Sequence, residues 1–172
     1  MEICWRRGGL PLFVFLLATA AMAQSGTVPA SCGPAGAKFQ IKTPPAPVSV
    51  QTEPGMAVVY FIADDEGSFV EPTTLAGVDG KWVGATHGSS WLYFRVDPGV
   101  HHLCALTNSG GTITEALAHF TAEPGAVYYF EAKDLIWTRV DQPWFDETLL
   151  PVDSDEGQLL LRTEDFSASH AK

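Results

Sequence analysis

The stretch VDPGVHHLCAL, residues 96–106, sets His101, His102 and Cys104 within four positions. Imidazoles and thiolates bind zinc and copper, and a thiol beside a base is a nucleophile. In a strand the alternation of side chains divides the trio. His102 and Cys104 share a face with Val100 and Leu106, whereas His101 points the other way with Leu103 and Ala105. A metal could recruit His102 and Cys104 but not both histidines, and would need further ligands from His87 and His119. No CxxC, HxxxH or HExxH pattern accompanies them. The plain reading is a strand with one half-buried, hydrogen-bonded histidine, so no metal and no other cofactor is expected.

Other candidates read the same way. Ser89 and Ser90 follow His87 in HGSSW, but no GxSxG elbow presents either hydroxyl. In DSDEGQLLLRTE, residues 153–164, acids stand at positions one, three and twelve of a calcium loop. Gln158 takes the place of the required glycine, and Gly157 sits one residue early. A capped helix start fits that segment better. The acids of ADDEG, 63–67, suit a solvated loop, since closeness in sequence does not make a glycosidase pair. No catalytic residue is expected, and the chain reads as a non-enzyme. Aromatic side chains are numerous and suit core and cross-strand positions. Trp137, Trp144 and Phe145 flank TRVDQP and form a candidate exposed patch for a protein partner or a glycan.

The elements that must position these residues begin after an export signal. Arg6 and Arg7 precede a short apolar core, and Ala21-Met22-Ala23 matches a small-x-small cleavage site, so the mature chain is expected to start at Gln24. The apolar run of about 14 residues is short of the roughly 20 that span a bilayer. The mature chain is therefore expected to be periplasmic or secreted, with no transmembrane segment. Loss of one acid and two bases moves the formal charge from -10 to -11. That balance repels phosphate backbones, so nucleic acid is not an expected partner. Cys4 leaves with the signal. Cys32 and Cys104 remain, an even pair whose economical use in an oxidising compartment is a disulfide, with two free thiols as the alternative.

Residues 24–55 form a Pro/Gly-rich arm in which only KFQIK alternates as a short strand. From residue 56 strand-like runs recur about every ten residues with turn signals between them. MAVVYFIA reads as a buried strand, Asp79-Gly80 as a hairpin turn, and Asn108-Ser109-Gly110-Gly111 as a hairpin loop. Further strands are expected at 91–96, 100–107, 112–122, 126–133 and 135–140. Glu53-Pro54-Gly55, Asp97-Pro98-Gly99 and Glu123-Pro124-Gly125 each precede an apolar run, the pattern of a type II turn feeding a strand. A short helix capped by Asp153 or Ser154 follows, despite Gly157, and 167–172 reads as a frayed tail. The expected fold is an all-β antiparallel sandwich of immunoglobulin or prealbumin type over 56–166, with one short C-terminal helix.

The blocks CGP at 32–34, KFQIKT, GVDGKWVGATHGSSWLYFRVDPGVHHLCA, AHFTAEPGAVYYF and DSDEGQLL together resemble an uncharacterised bacterial family, domain of unknown function 2846, in its acidobacterial form. The likeness runs over nearly all of the chain beyond residue 23 and implies an exported or membrane-associated β-rich domain. Lipoprotein versions carry a lipobox, which this chain lacks, because Pro29 stands where an aliphatic residue belongs before Cys32. The resemblance carries no catalytic residue. The expected role is that of a non-catalytic interaction or accessory domain of the cell envelope, its partner an envelope protein or a glycan. The rivals are a metal-dependent enzyme or metal-binding protein using His87, His102 and His119, and a carbohydrate-binding module.

Overall fold

Buried on both faces, the run at 57–64 stands at the centre of a five-stranded sheet, as its unbroken apolar character requires. The computed structural model describes residues 32–47, 50, 51, 53–65, 70–139 and 142–172, and of 135–139 and 142–145 the backbone alone. The expected export signal lies outside the described residues. The strands are β1 (Phe39–Lys42), β2 (Ala57–Asp64), β3 (Thr73–Val78), β4 (Lys81–His87), β5 (Ser90–Val96), β6 (Gly99–Ser109), β7 (Thr112–Ala122), β8 (Val127–Arg139) and β9 (Gln142–Val152). Helix α1 (Ser154–Thr163) and strands β10 (Asp165–Phe166) and β11 (Ala168–Ala171) follow.

The larger sheet has the order β10-β5-β2-β8-β9, the smaller one β4-β3-β6-β7, and β1 pairs with β11 in a two-stranded ribbon. Val59 and Phe61 of β2, Leu92 of β5 and Phe130 of β8 meet Ala76 of β3, Leu103 of β6 and Ala116 of β7 in one core between the two sheets. The smaller sheet is antiparallel throughout. The larger is not: β2 pairs with β8, and β10 with β5, in parallel. Two of the acid-Pro-Gly turns account for the β2–β8 junction. Met56 N donates to Glu53 O and Ala126 N to Glu123 O, which closes both turns. Gly125 N then donates to Met56 O and Val58 N to Ala126 O, so the turns dock side by side and launch their strands in one direction. The third turn differs. Gly99 has φ 140 and already belongs to β6, and the Asp97 carbonyl contacts the His101 ring instead.

Asp79 (φ 49) and Gly80 (φ 78) form the expected two-residue hairpin turn, and Gly110-Gly111 forms the other. Other expectations fail for physical reasons. The runs expected separately at 126–133 and 135–140 join in the one strand β8, Val127–Arg139, because Asp134 stays in register with its neighbour Glu147. Strand β9 escapes the sequence pattern because Pro143 and Pro151 read as breakers. At the edge of a sheet the missing amide donors are tolerated. Residues 168–171 are no frayed tail but strand β11, paired with β1 from Phe39↔Ala171 to Lys42↔Ala168.

Helix α1 has the expected cap, since the Asp153 carboxylate accepts from the Asp155 and Glu156 amides. Gly157 is a requirement of this helix. A Cβ there would collide with the Tyr129 ring, so only glycine lets α1 lie on the outer face of the larger sheet. That face carries Tyr93, Tyr60 and Tyr129 level across β5, β2 and β8, with Tyr60 and Tyr129 stacked at 5.1 Å. Trp91 packs on Phe166 at 4.7 Å, and its indole donates to Glu164 O.

Candidate functional site

The opposite outer face, that of the smaller sheet, is built from the alternation predicted for β6. Val100, His102, Cys104, Leu106 and Asn108 project from β6 beside Thr121, His119, Leu117, Glu115 and Ile113 of β7. Half of it is covered. Cys32 and Cys104 are fully buried, their sulfurs within bonding distance and their Cα atoms 4.9 Å apart. The arm lies flat here because Gly77 lacks a Cβ, which would strike the Cys32 backbone. Trp82 donates from its indole to Pro34 O at 2.8 Å and fixes the next turn of the arm. Between arm and sheet opens a pocket of about 610 Å³ lined by Pro34, Ala37, Leu75, Trp82, Leu106 and Ile113.

The other half is bare among the described residues. Val100 is 65% exposed, Ile113 63% and Leu117 54%, and His102 and His119 are exposed between them. Along this face Val100 stands at one end of the β6–β7 pair, Leu117 near its middle and Ile113 at the other end, on the rim of the pocket. His102 and His119 are register partners with ring centroids 6.5 Å apart.

His101 faces inward, and this is the half-buried histidine of the sequence reading. Its Nδ1 meets Asp79 Oδ2 at 2.6 Å and its Nε2 meets Asp97 O at 2.7 Å. With an acceptor at each nitrogen the imidazolium is favoured. Burial alone would lower the His101 pKa, but the Asp79 and Asp97 contacts outweigh it and the net shift is upward. Burial opposes ionisation of Asp79 as well. The His102 amide at 2.9 Å and His101 overcome that and hold its pKa down. The pair pins the β3–β4 turn to β6.

The remaining candidates are scattered. His87 stands at the far end of β4, 3.2 Å from Glu71, so it does not join His102 and His119. Among the described residues no three of His, Cys, Asp and Glu gather as metal ligands. The Ser90 hydroxyl is buried against His87 O and the Ser167 hydroxyl, while the Ser89 hydroxyl bonds to the Asp65 carboxylate. Among the described residues neither serine bonds to an imidazole. Trp137 and Trp144 are register partners at the far end of the β8–β9 hairpin, with Ile136 opposite Phe145. The side chains of that patch lie outside the described residues. No helix among the described residues is long and apolar enough to cross a membrane.

One ionisable site escaped the sequence reading. Glu147 of β9 points inward, only 6% exposed, and accepts from the Thr107 hydroxyl of β6 at 2.6 Å. Thr107 in turn shares a 2.8 Å hydrogen bond with Thr74 of β3, so one polar chain crosses from sheet to sheet. The second Glu147 oxygen has no hydrogen-bond partner among the described residues. Burial pushes the Glu147 pKa up to about 7, with Asp134 opposite adding to the rise. Alternation would have placed Glu147 inward, had its strand been recognised through the prolines. Comparison with family models, with curated proteins and with solved structures finds no match to this chain.

Proposed function

We propose that this chain is an exported, non-catalytic β-sandwich domain of immunoglobulin or prealbumin type that works by contact, as an interaction or accessory domain of the cell envelope. The observation that carries the reading is the bare half of the smaller sheet's outer face, where Val100, Ile113 and Leu117 stand exposed beside a pocket. Uncovered apolar area of this kind, rimmed by polar residues such as Glu115, Thr121 and Asn108, is the composition of a protein-binding patch. Export rests on the N-terminal signal pattern, and kinship with domain of unknown function 2846 rests on the sequence blocks alone.

The test places a photo-crosslinking residue at position 117 and, as control, at exposed Leu159 of α1. The reading expects a discrete envelope partner from 117 but not from 159, and its loss in a Val100→Glu background. Equal labelling from both positions, or none from 117, sinks it.

A further inference from the structure

We infer that His102 and His119 form a two-histidine site for a divalent transition metal, with copper(II) bound most tightly. The two residues face each other across antiparallel strands, where Cβ atoms stand about 4.5–5.5 Å apart. Their rings, with centroids 6.5 Å apart and tilted by 36°, are both exposed and free to turn. Two imidazoles on one ion, with metal–nitrogen bonds of about 2.0 Å, have centroids roughly 4.5 Å apart when adjacent and roughly 6.3 Å when opposed. Rotation about χ1 and χ2 of exposed side chains covers both spacings, so the pair can reach one ion with no change in the backbone.

The surroundings favour a cation. Asp79 accepts from the His102 amide at 2.9 Å and pairs with His101, which fixes the His102 backbone behind the site. The chain as a whole carries a formal charge of -10. Two protein nitrogens leave the remaining positions to water, an arrangement that suits the tetragonal preference of copper(II) and the Irving–Williams order. His87, far along the sheet against Glu71, takes no part, and Cys104 is already engaged with Cys32. The sequence grouped His87, His102 and His119; the register separates a pair from a bystander.

The experiment is a titration of the purified chain with copper(II), followed by equilibrium dialysis and electron paramagnetic resonance. The expected result is one ion with two equatorial imidazole nitrogens. His102→Ala and His119→Ala should each weaken that site at least tenfold, the double variant at least as much as either single one, and His87→Ala should leave it unchanged. Both replaced side chains are exposed, so the fold should persist, checked by near-ultraviolet circular dichroism. As a test without mutation, copper(II) should protect His102 and His119 from diethyl pyrocarbonate while His87 is modified at its usual rate. Unchanged affinity in either single variant, weakening by His87→Ala, or absence of protection overturns the assignment. None of these results depends on the contact function proposed above.

Discussion

The two outer faces of this protein are made by the same strand alternation and end in opposite conditions. On the larger sheet, α1 lies over the tyrosine tier, and the indole of Trp91 clamps the segment that follows the helix. On the smaller sheet, the arm covers the Cys104–Leu106 half and leaves Val100, Leu117 and Ile113 in solvent. The difference turns on two glycines. Gly157 admits a helix onto Tyr129, and Gly77 admits the arm onto β3. Where neither element reaches, apolar side chains stay open. A covered face stabilises the fold; a bare one is available to something else.

The largest expected effect comes from freeing the arm. A cross-link between Cys32 and Cys104 closes a 72-residue separation, worth about 4 kcal/mol in the chain-entropy model. Cys104→Ser should cost that much in urea denaturation and expose Leu75 and Trp82, while the environment of Trp91 stays unchanged. Peptide mapping of the unreduced chain should recover Cys32 and Cys104 in one linked fragment; recovering them as separate thiols refutes the link.

Next comes the bridge between the sheets. Because Glu147 has its pKa raised from 4.5 to about 7, the folded state holds this proton more tightly than the unfolded chain does. Stability should therefore fall as pH rises across that window, by up to about 3 kcal/mol. Glu147→Gln should flatten the fall and leave the variant more stable than the parent at pH 8. Parallel pH profiles for the two proteins would remove Glu147 from this role.

A smaller effect tests the covered face. Gly→Ala inside an ordinary helix gains up to about 1 kcal/mol. Gly157→Ala should instead lose about 1–3 kcal/mol, since the new methyl meets Tyr129, and a thermal melt decides the sign. The bare face should give the smallest change, with Leu117→Arg within about 0.5 kcal/mol of the parent in the same melt. A large loss there would mean that the face is not bare.

Much of this architecture was legible in the chain. Continuous apolar or alternating runs marked β2, β5, β6 and β7, and Asp79-Gly80 and Asp153 marked a turn and a cap, because each signal is local. What stayed hidden depends on partners distant in sequence. Edge placement makes Pro143 and Pro151 harmless in β9, and β11 becomes a strand only because β1 lies beside it. The parallel β2–β8 junction needs two turns 70 residues apart to dock. The candidate site divides in the same way. Alternation separated His101 from His102, but the His102–His119 pairing required the β6–β7 register. The β7 run TITEALAHFTA carries apolar residues on both faces, so Ile113 and Leu117 did not by themselves show which face meets solvent.

The ribbon of β1 and β11 has a consequence in time. Phe39 waits for Ala171, and Lys172 N donates to Lys38 O, so a chain made or threaded from its N-terminal side cannot finish the ribbon until residues 168–172 are free. A pairing of such sequence separation carries a large loop-closure entropy. Without residues 168–171 both sheets keep their strands, yet β1 loses its pairing partner and presents a fresh strand edge to other chains.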